Sequence, residues 1–361
     1  MSAPVVHLHI GAPKTGTTYL QDRLTRNAAT LARHGVTFPS KNRFIPADLF
    51  QFRAALDLLE QEWGGRPGHM DGAWEQLVRK VHRAKGPVIV SHEILAAAKS
   101  DKIAKAMNDL DGVEVHVVYS ARDLARQLPA AWQETIKQGR RWTYRRFLTK
   151  MERGDIWFAK AFDLPRVLER WGARIPPERV HLVTVPHGRA GDVLWHRFAE
   201  AFGIDPAWAP LDSERANRSL GVAEVQLLRK LNRRLGLDLR TEPTYDVLVR
   251  QMLAQGELAN RESQPVTLPP DRYDWVEAQA DEWIRWVAES GIHVVGDVED
   301  LRPRRPDPTE EWVNPDKVRA RPQLAVAMDA LTAMTHEAAA RADQQGVTDL
   351  VRTRAQQLLG K

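Results

Sequence analysis

Cysteine is absent from the 361 residues, which excludes disulfide scaffolds, thiolate metal sites and cysteine nucleophiles. No apolar run approaches the roughly 18 residues that a membrane-spanning helix needs. The opening Met1-Ser2-Ala3-Pro4 has neither the charged flank nor the apolar core of a signal peptide. A soluble, cytoplasmic protein with no membrane span is the resulting expectation. Charge of one sign is barely in excess: 52 Lys and Arg against 47 Asp and Glu leave +5. That is no nucleic-acid signature, and it is compatible with small anionic ligands. The 12 histidines include no H-x-x-x-H or H-E-x-x-H pair, so no metal site is expected. No internal repeat or long low-complexity tract is present. What remains is an ordinary globular balance, 43% hydrophobic and 27% charged, in a chain long enough to bury a substantial core.

Residues 5–10, 87–91, 113–120 and 179–185 are short and rich in β-branched side chains, and 35–39 reads as a further short strand. Helical periodicity fills 17–33, 47–62, 72–84 and 99–110 between them. Strands separated by helices predict an α/β fold of three layers, a mainly parallel central sheet with helices on both faces. From about 222 the pattern turns helical. Val222, Val225, Leu228, Leu231 and Leu235 recur at helical spacing, and 273–289 carries Trp275, Trp283 and Trp286; both stripes read as core. The Pro- and Arg-rich 302–308 breaks the chain into an extended linker. Beyond 318 two amphipathic helices are expected, a packing arm or a homo-oligomer contact. The expected division is a nucleotide-binding core over 1–235, a helical extension packed on it over 236–300, and linker plus C-terminal helices over 301–361.

The most informative stretch lies between the first strand and the first helix: Gly11-Ala12-Pro13-Lys14-Thr15-Gly16-Thr17-Thr18. A tight strand-to-helix loop turns several backbone N–H groups toward one point, and the helix N-terminus adds partial positive charge there. Gly16 permits close backbone approach, Lys14 supplies a cation, and Thr17 and Thr18 supply hydroxyl donors. In a Walker A loop, G-x-x-x-x-G-K-[ST], the Lys directly follows the second Gly. Here Thr17 holds that place and the Lys comes two residues before Gly16.

The stretch Pro13-Lys14-Thr15-Gly16-Thr17-Thr18 is instead similar to the 5′-phosphosulfate loop of PAPS-dependent sulfotransferases, P-K-[ST]-G-T-[TS], and matches it at every position. Over about residues 5–235 the chain resembles that family, as a bacterial sulfotransferase-like protein. The resemblance implies a P-loop-like fold, PAPS as donor, adenosine 3′,5′-bisphosphate as product, and in-line transfer to a hydroxyl or amine without a metal. The acceptor would be a small molecule or glycan, not a nucleic acid. It places Lys14, Thr15, Gly16, Thr17 and Thr18 on the donor, with Lys14 beside the leaving oxygen. In the family a later strand ends in an Arg that binds the 3′-phosphate together with a Ser eight residues on. Arg122 matches; Ala130 stands at the Ser position. Arg126, one turn from Arg122, is a candidate second cation.

Family members carry a catalytic His just after the strand equivalent to 88–90, or use a Glu. Ser91-His92-Glu93 closes that strand here. His92, with an ordinary pKa near 6.5, is the slightly favoured base; Glu93 is the rival, and on an extended strand only one of the two enters a cleft. Residues 215–220 fall where the family has a basic segment over the nucleotide, without its usual R-K-G. Residues 137–153, with Trp142, Tyr144 and Phe147, are a candidate acceptor lining or a solvated basic face. Two other readings stay open. One is a P-loop-type kinase or nucleotide hydrolase with a degenerate Walker A loop, for which Asp123 is the nearby strand-end carboxylate. The other is a nucleotide-binding protein without catalytic activity.

Overall fold

The computed structural model describes residues 4–359 other than 43, 63–67, 189–190, 216–217 and 242, with side chains as far as 341. Among the described residues five strands form one parallel sheet: β1 (Val5–Gly11), β2 (Val88–Ser91), β3 (Glu114–Ala121), β4 (Val180–Thr184) and β5 (His293–Val295). Their order is β2-β1-β3-β4-β5. The chain leaves β1 toward one edge and returns to its other side as β3, so the switch point lies between β1 and β3. In open α/β sheets ligands bind outside the carboxyl ends of the strands at that point. Helices cover both faces, giving the expected three-layer α/β architecture.

Side-chain alternation gives the two faces different chemistry. Val6, Leu8 and Ile10 of β1 point to one side, all at most 1% exposed. His7 and His9 point to the other, where they meet Phe202 and Phe198 at ring-centroid distances of 5.8 and 5.2 Å. That second face is covered by the helices Thr17–Arg26, Ala28–Arg33 and Gly191–Ala201. Their Leu20, Leu24, Leu31, Trp195 and Phe198 form one buried cluster with Ile89, Val118, Val183 and Val295 of the sheet. On the opposite face Tyr119 donates to Ala161 O at 2.9 Å, and Trp171, on the helix Leu164–Gly172, donates to Leu95 O at 3.1 Å.

The amino ends of the strands carry a row of imidazoles on the histidine-bearing face. His116 Nε2 lies 3.0 Å from Glu114 Oε1, His116 Nδ1 lies 2.8 Å from His181 Nε2, and His181 Nδ1 lies 2.8 Å from His293 Nδ1. His7 flanks the row, 4.8 Å from His116 between ring centroids. A carboxylate accepts only, so His116 Nε2 is the N–H; His116 Nδ1 then accepts from His181 Nε2–H, and His181 Nδ1 from His293 Nδ1–H. One tautomer per ring satisfies every bond.

Several elements differ from expectation for identifiable reasons. Residues 35–39 contribute only an isolated bridge, Thr37 to Val88, too little to make a strand. The helix expected over 17–33 breaks at Asn27, whose buried amide donates to Leu211 O at 2.7 Å and accepts from Leu211 N–H at 3.0 Å. β5 is three residues long, below the length at which alternation is visible in sequence. The two C-terminal helices expected after 318 are one, Ala320–Leu359. Gly346 is the only strong breaker beyond its first turn, and a mid-helix Gly costs only about 1 kcal/mol relative to Ala.

Compactness also divides the chain differently from the boundaries expected at 235 and 300. One unit is Met1–Trp132, Arg145–Asn217 and Thr267–Trp312; the other is Gln133–Tyr144, Arg218–Val266 and Val313–Lys361. A boundary read from composition is contiguous, whereas packing gathers segments that return from afar. The first unit holds the whole sheet. In the second, Asn232 of the helix Val222–Arg234 donates to Ile136 O and Arg140 O at 2.8 and 2.9 Å and accepts from the Tyr245 hydroxyl at 2.6 Å. No helix among the described residues is long and apolar enough to cross a membrane.

Candidate active site

The loop after β1 is built from unusual backbone. Gly11 and Gly16 have φ of +122° and +101°, and Lys14 has φ of +69°. A Cβ on Gly16 would lie 2.8 Å from Leu194 Cδ2, and one on Gly11 would lie 3.2 Å from Glu93 O, so neither position takes a side chain without displacement. Lys14 is not glycine, and holding it left-handed costs about 1–2 kcal/mol. Such strain persists only where the surroundings fix it. The helix Thr17–Arg26 starts directly after this turn, so its first N–H groups and partial positive charge belong to the loop.

What fixes the loop is a buried polar frame from the ends of β1, β2 and β3. The Thr15 hydroxyl donates to Ala12 O at 2.5 Å and lies 2.5 Å from Ser120 Oγ. With the Thr15 proton spent on Ala12, Ser120 is the donor to Thr15, with Gly11 O a further acceptor at 3.0 Å. Ser120 Oγ therefore accepts from His9 Nε2–H at 3.1 Å, and His9 Nδ1 accepts from the Ser91 hydroxyl at 2.8 Å. His9 is fully buried, and burial, with His92 nearby, takes its pKa down to about 3. It is a neutral strut. Ala12 N–H donates to Ser120 O at 2.7 Å and the Gln127 amide to Pro13 O at 2.8 Å, completing the clamp.

The expected donor-binding residues divide within this frame. Thr15 is 1% exposed with its hydroxyl turned into the frame, so only its backbone faces a ligand role. Thr17 is buried, and its Oγ1 has no hydrogen-bond partner among the described residues. Thr18 and Lys14 are part-exposed. Arg122 follows β3 directly; its Nε is buried without a partner among the described residues. Burial, then repulsion from Arg126, lowers its pKa to about 10, against the pull of Asp123. Arg126 is already engaged: Nε pairs with Asp123 Oδ2, Nη1 donates to Pro186 O at 3.0 Å and Nη2 to Val185 O at 3.2 Å. Asp123 is 1% exposed and also accepts from Arg126 N–H at 3.0 Å.

The two candidate bases are held differently. His92 Nδ1 accepts from Ile94 N–H at 3.3 Å, capping the short turn Glu93–Ala97, and its ring stacks on Phe52 at 4.8 Å. Burial lowers its pKa, with Glu93 and Asp48 opposing. The basic nitrogen is thus occupied by a backbone amide. Glu93 lies against the loop, its backbone beneath Gly11. Its Oε2 is buried without a hydrogen-bond partner among the described residues, 3.9 Å from His92 Nδ1.

The other candidate stretches do not converge here. Arg215 pairs with Asp48 at 2.9 Å and Asp22 at 3.5 Å, while Ala216 and Asn217 lie outside the described residues. Tyr144 and Phe147 are at most 1% exposed and so are core, not an open lining. His9, Ser91, Ser120 and Gln127 were not anticipated. Their only sequence signal is the His-x-His alternation of β1 and a serine near the end of each neighbouring strand.

No protein-family model matches the chain, and no curated protein matches it. Among solved structures it is similar to one described as the crystal structure of a sulfotransferase from Alicyclobacillus acidocaldarius. The identity is 12%, the match covers 69% of this chain and 96% of that one, and the TM-score is 0.37. At so low a score the functional reading stands on this chain's own residues.

Proposed function

We propose that the chain is a sulfotransferase that moves the sulfuryl group of PAPS to a hydroxyl or amine of a small-molecule or glycan acceptor. The observation that carries this reading is the loop Pro13–Thr18 at the switch point of a parallel sheet, clamped through Thr15 and Pro13 from three strand ends and one helix. The buried, unpartnered donors Thr17 Oγ1 and Arg122 Nε fit a polyanionic nucleotide: hydroxyl and backbone N–H at the 5′-phosphosulfate, guanidinium at the 3′-phosphate. Arg126 contributes field more than contact, because its donors are spent on Asp123 and two carbonyls. Asp123, the strand-end carboxylate a kinase reading would offer to magnesium, is held by Arg126.

In this reaction the bond from sulfur to the phosphate oxygen breaks while one to the acceptor forms. Lys14 offsets the charge developing on the leaving oxygen. Glu93, with its unpartnered oxygen, takes the acceptor proton, ahead of His92, whose Nδ1 caps a turn. A cytoplasmic setting and pairing of copies through the C-terminal helix belong to the same reading. The test is thermal stability under titration. Adenosine 3′,5′-bisphosphate should raise the melting temperature well above the effect of ATP with magnesium, since ligand that binds only the native state stabilises it. A larger shift with ATP and magnesium would overturn the assignment.

A further inference from the structure

The second unit contains a cavity of about 310 Å³. Its walls come from the helix Val222–Arg234, from the run Asp246–Glu257 and from the helix Ala320–Leu359. Leucines 231, 248 and 253, Ala330 and Met334 represent a lining that includes no charged side chain. Tyr245 also lines it, but its hydroxyl is bound to Asn232 at 2.6 Å. The exposed lining residues Leu239, Thr244 and Leu331 mark the mouth.

Two independent features set this cavity apart from a packing fault. First, it is a cleft open to solvent on one side and lined by apolar carbon, and exposed apolar concavities of this kind mark ligand sites. This one falls within the lower range of small-molecule sites, about 300–1,000 Å³. Second, the wall Asp246–Glu257 is a 12-residue π-helix. Such geometry is rare, is usually confined to a single turn, and is frequent at functional sites; its Leu248, Val249 and Leu253 face the cavity.

We propose that the second unit binds the hydrocarbon chain of a single-chain amphipathic molecule, with the polar head left at the mouth beside Thr244. Uncharged walls reject a buried charge, and among the described lining residues the polar group on the exposed rim is the Thr244 hydroxyl. This site does not depend on the sulfotransferase reading and stands if that reading fails.

The experiment is displacement of the fluorescent probe phenylnaphthylamine by decanol on the full-length protein. Wild type should bind the probe and release it to decanol. Ala330→Phe and Ala327→Phe, which fill the cavity, should each weaken decanol binding at least about tenfold while keeping a cooperative melt. Should either fail to fold, Leu253→Ala enlarges the space and should shift preference from decanol toward dodecanol. Absence of binding by wild type, unchanged affinity in folded filled variants, or an unchanged chain-length order in Leu253→Ala would each overturn the proposal. So would self-association that Ala330→Phe abolishes without any decanol bound, which would give these residues to a second copy.

Discussion

The two ends of the sheet use the same residue type to opposite purpose. At the carboxyl ends His9 is held by the hydroxyls of Ser91 and Ser120, and through Ser120 it steadies the loop that carries Lys14. At the amino ends His116, His181 and His293 are held by one another, with direction set by Glu114, itself paired to Arg179 at 3.0 Å. Hydroxyls rotate to donate or accept, so the first arrangement adapts to the turn it supports. Imidazoles bonded in series fix each ring's donor and acceptor through its neighbour, so the second arrangement ties β3, β4 and β5 together and leaves no donor to turn elsewhere. Position along the strand, not the residue, decides the role.

If chemistry belongs to the loop end alone, Glu93→Gln should lower turnover by about 10²–10⁴-fold, whereas His92→Asn, which preserves the cap, should leave most of it. Equal losses in steady-state assays would return the base to His92. Lys14→Ala should cost about 10²–10³-fold in turnover while the protein still melts cooperatively; a near-normal rate would remove Lys14 from the mechanism.

Stability should separate the two histidine sets. His9→Ala leaves the buried Ser91 hydroxyl without its acceptor and opens a void, so denaturant titration should show a loss of about 2–4 kcal/mol. His181→Gln keeps one donor and one acceptor between His116 and the water-exposed His293, so the change there should stay within about 1.5 kcal/mol. Equal losses would erase the distinction between the ends.

The smallest effect at neutral pH is the proton linkage. Burial and neighbouring imidazoles take His7 to about 3 and His181 to about 4, and burial takes His9 to about 3, all from 6.5. Below pH 6.5 the unfolded chain binds protons that the folded one refuses, so stability is complete above 6.5 and falls as pH drops toward 4. The slope is about 1.4 kcal/mol per pH unit for each of the three, over a narrower window for His181, whose pKa is lowered only to about 4. In denaturant titrations across that window, replacing His7 and His181 together by Phe should flatten the slope and leave the His9 part.

Much of the fold was legible because its signals are local. Four of the five strands lie within a residue or two of where β-branched runs put them, and the helices Ala73–Arg83 and Ser100–Asp109 fall where periodicity does. The loop was legible because six consecutive residues form it. Where reading failed, a distant partner intervened: Leu211 splits the first helix at Asn27, and β5 becomes a strand only because β4 is there to pair with it. That a backbone amide two residues away donates to His92 Nδ1 was not legible either, since it depends on the turn that follows β2.

Sequence alone determined the place of the loop between strand and helix, the alternation of β1 and the layering, since each is written in contiguous residues whose geometry follows from short-range sterics and hydrogen bonding. Tertiary structure decided what that loop rests on. Ser91 and Ser120 lie 82 and 111 positions from His9, and Glu114, His181 and His293 meet on three different strands. Only parallel pairing across long crossovers sets those registers, and a slip of one residue would turn every one of these side chains to the other face.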